Sequence, residues 1–153
     1  MSHSLIEGSV FLVPLRDIGF ATGVLARANG VGQCFGYFFG PRVDSSDEVQ
    51  ISSLAIENAL LIGKFGDLEI IRGNWKIIGD IPNWESDRWE LLPLARIDRD
   101  ADKAWLCTYD DELNCTRETS ISLVEAEKHS YDRLMGAGSV EIRLTKLIST
   151  PPQ

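Results

Sequence analysis

Short apolar runs alternate with turn-forming residues over the first forty positions, which is typical of antiparallel β structure. Residues 9–15 and 19–28 form two apolar runs separated by Arg16-Asp17, and Asn29-Gly30 follows the second run. Asn-Gly is a strong hairpin signal because both residues tolerate positive φ. A third run, 31–39, ends at Gly40-Pro41. The pattern predicts a three-stranded antiparallel meander.

Three glycines lie within or beside these predicted strands, at positions 23, 32 and 36. Glycine in a strand usually marks a bulge or a sharp bend, as small barrels require. We therefore expect a strongly curved sheet in this part of the chain.

The middle of the chain predicts further short strands separated by turns. Its most regular feature is a hairpin whose first arm alternates Trp105, Cys107 and Tyr109 with Leu106 and Thr108. The predicted segments are strands at 60–65, 68–71, 89–97, 104–109 and 115–121, a short segment at 75–79 and, within the ambiguous stretch 51–65, a helical turn at 53–56.

The C-terminal part changes character. Residues 123–135 have a helical composition, and apolar residues at 140, 144, 147 and 148 follow helical spacing. Positions 140, 142, 144 and 148 also fit strand alternation, so both structures stay open. We favour a short helix with Ser139 as its N-cap.

These elements predict a mostly β fold with a minor α+β character. The expected architecture is a small antiparallel, partly open barrel or strongly coiled sheet with one or two short C-terminal helices. With 153 residues, one domain is expected, since domains typically hold roughly 100–200 residues. Residues 1–6 and 149–153 are expected to be flexible tails.

Composition excludes several protein classes. Apolar residues make up 44% of the chain and charged residues 25%, which excludes a disordered chain, a collagen and a coiled coil. The N-terminus has no basic region followed by an apolar run, and no stretch approaches the ~20 residues of a membrane span. The sequence therefore predicts a cytoplasmic protein that does not bind a membrane.

Negative charge concentrates in the middle of the chain. The net charge is −8, and residues 80–118 contain 11 acidic and 5 basic residues. This charge disfavours nucleic acid and anionic lipid and favours a basic protein partner. If the acidic loops share one end of the fold, they form an acidic face, although the same charge also suits a surface that only keeps the protein soluble.

The chain lacks the clusters that catalysis or metal binding normally needs. His3 and His129 lie at opposite ends, and no GxSxG or CxxC motif occurs. Residues 98–102 begin like a calcium loop, but Lys103 replaces the required glycine and Tyr109 the final glutamate. We therefore predict no catalytic residue, no metal site and no cofactor.

The cysteines give a similarly plain prediction. Cys107 and Cys115 can flank a hairpin and face each other, but a reducing compartment would keep them as thiols. We expect Cys34, Cys107 and Cys115 to act as small, partly buried apolar residues.

Several segments resemble one known family in their order along the chain. Residues 8–15 read GSVFLVPL, residues 73–79 read GNWKIIG and are followed by Ile81-Pro82, and residues 138–144 read GSVEIRL. Together with 19–25 and 36–40, they resemble the immunity protein 26 family over about residues 7–147. The residues that carry the central motif are Gly73, Trp75, Ile77, Ile78, Gly79 and Pro82.

The resemblance implies an antitoxin of a bacterial polymorphic-toxin or contact-dependent competition system. Such a protein neutralises its cognate toxin domain by direct stoichiometric binding in the cytosol of the producing cell. The motif residues are expected to be structural, with Trp75, Ile77 and Ile78 in the core and Gly79 in a turn. Some members of the family carry a phosphotriesterase label, so a hydrolase of organophosphate esters is the alternative. A generic β-barrel interaction module is the third hypothesis.

Partner binding is expected to depend on aromatic or charged anchors within the acidic loops. Trp84 and Trp89 can equally belong to the core, since tryptophan is highly buried on average. The sequence does not indicate which oligomeric state the protein adopts. The candidate partner-binding residues are Trp84, Trp89, Asp98, Asp100, Asp102, Asp110, Asp111 and Glu112.

Overall fold

The computed structural model describes residues 5–149 as two β-sheets with short helices. The strands are β1 (Ser9–Pro14), β2 (Phe20–Ala28), β3 (Gln33–Val43), β4 (Leu61–Gly66), β5 (Ile77–Asp80), β6 (Leu94–Asp98), β7 (Lys103–Tyr109), β8 (Cys115–Ile121) and β9 (Leu134–Met135). The helices are α1 (Leu68–Arg72), α2 (Leu123–Ala126) and α3 (Ala137–Ser149), and 3₁₀ turns occupy Ser46–Glu48, Ile51–Ser53, Ile56–Asn58 and Ser86–Trp89. The predicted mostly β class is confirmed.

The larger sheet has the strand order β5-β1-β2-β3-β4-β9, and the smaller sheet has the order β6-β7-β8. All pairs are antiparallel except β4–β9. The predicted meander is confirmed as β1–β3, although β3 continues through Gly40-Pro41 to Val43. Both sheets are open within residues 5–149, so the described strands form no closed barrel.

The central strands β1–β3 of the larger sheet are buried on both faces. On one face, Phe11, Phe38, Phe65 and Trp75 form an aromatic cluster in which Phe11 stacks on Trp75 with centroids 5.8 Å apart. Helix α3 packs against this face of the sheet. The other face is covered by the segments before β4 and β6. Its buried apolar residues include Phe35, Tyr37 and Phe39 of β3, and they pack with Trp89 and Leu94. Burial on both faces explains why β1–β3 are apolar runs rather than alternating ones.

Two strand glycines make room for this aromatic cluster. A Cβ atom on Gly23 would lie 2.4 Å from the Phe11 ring, and one on Gly36 would lie 2.6 Å from Phe65. Gly23 lies in regular register with Phe38, whereas Gly36 lies beside a bulge in β2. The expected link to bulges therefore holds for Gly36, while Gly23 serves close side-chain packing.

The predicted strand at 68–71 is wrong, because these residues form α1. The amides of Ile70 and Ile71 both donate to the Asp67 carbonyl, and Gly73 at φ 83° ends the turn. A left-handed glycine directly after Arg72, the last helical residue, is a helix-stop signal that outweighs the β propensity of the apolar residues before it.

The predicted strand at 89–97 is wrong in its first half, since β6 begins only at Leu94. Trp89 ends a 3₁₀ turn. Pro93 has no N–H to donate to a ladder, which delays the start of the strand.

The C-terminal helix is confirmed, but Ser139 is not its N-cap. Helix α3 begins at Ala137, and the Val140 amide donates to the Gly136 carbonyl at 3.1 Å. The Ser139 hydroxyl accepts a hydrogen bond from Arg143 Nε instead. Of the helical prediction for 123–135, only α2 is helical, and its first turn is capped by the Ser122 hydroxyl.

The ends of the chain lie partly beyond the described residues. Residues 1–4 and 150–153 of the predicted tails are outside this range, residues 5–6 form no regular element, and Ser149 ends α3. The single-domain assignment stays a prediction. None of the helices in residues 5–149 is long and apolar enough to cross a bilayer.

Substitution of Gly23 tests the aromatic packing. We expect Gly23→Ala to lower the free energy of unfolding by about 1–3 kcal/mol, since the new methyl overpacks the core. Denaturant unfolding measures the change. Gly136→Ala is the matched control, because nothing lies within 4 Å of its new methyl. Equal effects of the two substitutions would contradict the packing argument.

Tyr37 gives a pH-dependent prediction. Its ring is fully buried, its hydroxyl donates to the Glu90 carbonyl, and burial raises its pKa to about 12. The unfolded side chain ionises near pH ~10, so folding stability is lost as the pH rises from there towards the folded pKa. Between roughly pH 10 and 12, the free energy of unfolding of the wild type should fall by up to about 2 kcal/mol relative to that of Tyr37→Phe. Parallel urea curves for the two proteins would exclude this titration.

Candidate interaction surface

Arg27 joins two acidic loops at one end of the larger sheet. Its side chain is only 7% exposed, and its Nε lies 2.8 Å from Asp111 Oδ1. The same guanidinium donates to the carbonyls of Ala26, Trp89 and Ser86 at 2.7, 3.3 and 3.4 Å. One buried cation therefore fixes the 3₁₀ turn Ser86–Trp89 and the loop 110–114 against β2.

A groove of about 570 Å³ lies beside this junction, between residues 51–57 and 81–89. Its partly buried lining is apolar and includes Ile51, Leu54 and Ile81, whereas its charged residues are exposed. The charged residues that line it are Glu57, Glu85, Asp87 and Arg88. Three carboxylates against one guanidinium give the groove a negative charge, and Arg88 pairs with Glu85 at 3.1 Å.

The two candidate tryptophans occupy different environments. Trp89 is 4% exposed and packs edge-on against Tyr37 and Phe39, with centroids 5.5 and 6.1 Å away. Trp84 stacks on Trp89 with centroids 5.9 Å apart and keeps part of its surface accessible. Trp89 therefore contributes to the core, and Trp84 is the tryptophan that a partner can reach.

The three acidic residues of loop 110–114 have different tasks. Asp110 Oδ1 accepts from the amides of Glu112 and Asn114 at 3.0 and 2.9 Å, which shapes the loop. Asp111 neutralises Arg27 while its own side chain stays 81% exposed. The Glu112 carboxylate makes no hydrogen bond or ion pair to any residue in 5–149, and the residue is exposed.

The remaining candidates lie at the far end of the smaller sheet. Asp98, Asp100 and Asp102 belong to the β6–β7 turn, where Asp98 Oδ1 accepts from the Ala101 amide. The seven residues of β7 separate this turn from loop 110–114 by roughly 20 Å. Arg96 and Arg99 lie beside the turn. Together with Asp98 and Asp100 they line a second groove, which is separate from the acidic one.

The structure thus separates the eight candidates into two groups. Trp84, Trp89 and loop 110–114 meet at the Arg27 junction, and the 98–102 turn does not join them. As partner-binding residues, all eight stay predictions.

A buried polar network connects the two sheets near the β7–β8 hairpin. Lys64 of β4 lies 2.8 Å from Asp132 Oδ1 and donates to the Tyr109 hydroxyl at 3.2 Å. The Tyr109 hydroxyl donates to Asp132 Oδ2. Burial raises the pKa of the Asp132 carboxyl, but the bonds from Lys64 and Tyr109 outweigh burial, so its net pKa lies below the ordinary value. The network holds β7 against β4.

Two cysteines and Glu118 meet beside this network. Cys107 is buried, Cys115 is exposed, and their sulfur atoms and a Glu118 oxygen all lie within 4.8 Å of one another. Burial, together with the adjacent Cys115 thiol and Asp132 carboxylate, raises the pKa of Cys107 to about 12. Cys107 is therefore a protonated thiol and a poor nucleophile at neutral pH. Sequence reasoning placed the two cysteines on facing arms but missed Glu118, because cross-strand register cannot be read from residue spacing.

The residues of the central sequence motif serve the fold. Gly73 ends α1, and Trp75 is wholly buried with its indole N–H donating to Glu141 Oε2 at 2.8 Å. The expected core position of Ile77 is wrong, since its side chain is 46% exposed. The expected turn at Gly79 is also wrong, since Gly79 lies within β5, where a Cβ would press on Ile51 at 3.0 Å. Pro82 lines the acidic groove.

The described residues thus form a mostly β fold with an acidic, partly apolar groove. Comparison with protein families makes the assignment specific: the chain belongs to the Immunity protein 26 family, which it matches over residues 6–106. The suspected family is therefore confirmed. The match includes β1–β6 and the acidic groove and ends within β7. No curated protein and no solved structure matches the chain.

Replacement of Arg27 tests the junction. Arg27→Met should lower the free energy of unfolding by about 2–3 kcal/mol, because buried carbonyls lose their donor. Asp111→Asn should cost less than Arg27→Met, because the amide oxygen can still accept from Arg27 Nε and the three carbonyls keep their donor. Arg88→Met is the matched control, because Arg88 is exposed and pairs only at the surface. A similar loss in Arg88→Met and Arg27→Met would rule out the special role of Arg27.

Proposed function

We propose that this protein is an immunity protein that neutralises a cognate bacterial toxin by direct one-to-one binding, without catalysis. Membership of the Immunity protein 26 family carries the proposal. The toxin is inactivated in the cytosol of the cell that produces both proteins. No feature in residues 5–149 favours the organophosphate hydrolase or the generic interaction module over this function.

The proposed toxin-binding surface is the acidic groove together with Trp84 and Glu112. Glu57, Glu85 and Asp87 give this surface a negative charge, which attracts a basic partner over long range and raises the association rate. The partner is therefore a toxin domain with a basic surface patch.

The same groove can supply binding energy at short range. Partly buried apolar side chains line it, and Trp84, which keeps part of its surface accessible, lies beside it. Aromatic residues near the centre of an interface commonly carry a large share of the binding energy. The acidic side chains thus attract a basic partner, and the apolar side chains between them stabilise the complex when they are removed from water.

Arg27 supports binding indirectly, because it holds the two loops that border the surface. A guanidinium with one carboxylate and three carbonyl partners leaves these loops little freedom. Loops that are already fixed lose less conformational entropy when a partner binds. Arg27 is therefore a positioning residue.

Affinity capture from the native host tests the function. Tagged protein should recover a larger protein whose isolated C-terminal domain binds it one-to-one. Genes adjacent to the immunity gene supply the candidate list. If the C-terminal domains encoded there are purified and none binds, the proposed function is wrong.

Charge reversal tests the surface once the toxin domain is in hand. Asp87→Lys/Glu112→Lys should slow association about tenfold or more and weaken its dependence on salt, since long-range attraction is lost. Stopped-flow or surface plasmon resonance measures both quantities.

The matched control is Asp47→Lys/Asp100→Lys, which changes the net charge equally at two exposed positions that do not line the groove. Asp47 follows the end of β3 that pairs with Phe20, far along β2 from Arg27. A slower association in the control than in Asp87→Lys/Glu112→Lys would move the interface to the other acidic loops.

A further inference from the structure

A bulge in the β7–β8 hairpin brings three ligand-type side chains to one face. Cys107 pairs with Glu118 and Thr108 with Arg117, but Tyr109 pairs with Cys115 rather than with Thr116. Cys115 and Glu118 are three residues apart and would point to opposite faces of a regular strand. The extra residue reverses this, so that Cys115 lies on the same face as Cys107 and Glu118.

The distances within this cluster fit a common ion. The two sulfur atoms and one Glu118 oxygen lie within 4.8 Å of one another, and Cys107 Sγ lies 3.7 Å from Glu118 Oε2. Ligands at roughly 2.0–2.3 Å from a tetrahedral zinc ion lie within about 4 Å of one another. Where two of these atoms are wider apart than that, side-chain rotation would have to bring them closer for one ion to bind all three.

Glu118 is oriented for such a role by a neighbour. Its Oε1 accepts from Arg96 Nη2 at 2.8 Å, which leaves Oε2 on the side of Cys107. A ligand whose second atom is held by a hydrogen bond loses less freedom on binding metal. Access also suits an ion, since Cys115 and Glu118 are exposed while Cys107 forms the buried base of the cluster.

We propose that Cys107, Cys115 and Glu118 form a binding site for a thiophilic divalent cation, with zinc as the expected ion. Two thiolates and one carboxylate match the ligand preference of zinc rather than that of magnesium or calcium. Binding breaks two S–H bonds and forms two S–Zn bonds, and the two protons pass to the solvent. Three protein ligands leave one tetrahedral position that a water molecule can fill.

Charge balance supports the same ion. Two thiolates offset the charge of Zn²⁺, so the Glu118–Arg96 and Asp132–Lys64 pairs keep their partners. The bound ion would join both arms of the hairpin next to loop 110–114. This inference does not depend on toxin binding, because every ligand belongs to the immunity protein itself.

Metal titration of the isolated protein tests the site. Protein reduced with a phosphine, stripped of metal and confirmed to carry three free thiols is titrated with Zn²⁺ by calorimetry and with Co²⁺ by absorption spectroscopy. We expect one equivalent of zinc and, with cobalt, a thiolate charge-transfer band of tetrahedral type. Zinc should also raise the Tm.

Variants separate this site from other metal-binding groups. Cys115→Ser and Glu118→Gln change exposed side chains and should weaken zinc binding at least tenfold, a loss that even outer-shell partners produce (about 10–100-fold). Cys34→Ala and Glu90→Gln are the controls and should bind like the wild type. Absence of zinc binding by the wild type, or unchanged affinity in Cys115→Ser, would overturn the proposal.

Discussion

The stacking of Phe11 on Trp75 is the contact on which the rest of the fold depends. Phe11 reaches Trp75 because Gly23 presents no Cβ to the Phe11 ring. The buried indole N–H needs an acceptor, and Glu141 of α3 provides it at 2.8 Å while also pairing with Arg16. The aromatic stack connects β1 with the segment that leads into β5, and the hydrogen bond from Trp75 connects that segment with the C-terminal helix.

The opposite face of the same sheet sets up the candidate interaction surface. There the apolar residues of β2 and β3 are covered by long connecting segments rather than by a helix, with Trp89 as their main anchor. Connecting segments expose many polar and charged side chains, and here they are mostly acidic. Arg27 fixes the ends of two such segments, so the negative charge is displayed on a rigid frame.

Much of the fold could be predicted from local pattern. The meander, the 104–121 hairpin and the C-terminal helix each carry a periodic or turn signal that the tertiary structure does not oppose. The errors occur where a local signal competes with capping or with Pro93, as at 68–71 and 89–93. Propensity alone could not decide these segments, because only Ile70 and Trp89 among their apolar side chains are buried, and the residues that bury them are distant in sequence.

Less of the candidate site could be predicted. Charge counting located the acidic loops, but their grouping depends on which end of β7 each loop occupies and on the buried Arg27. The cluster of Cys107, Cys115 and Glu118 depends on a bulge of one residue, which no spacing rule reveals. Contacts between strands therefore could not be predicted from the sequence, whereas composition and family motifs could be read from it directly.

The central claim is that this member of the Immunity protein 26 family acts by stoichiometric binding. Titration of a fixed amount of cognate toxin domain with increasing immunity protein, read out as residual toxin activity, tests that claim most directly. A stoichiometric inhibitor reduces activity linearly to zero at one equivalent, independently of incubation time. Complete inhibition by a small fraction of an equivalent, growing with time, would mean catalytic inactivation and would contradict the account.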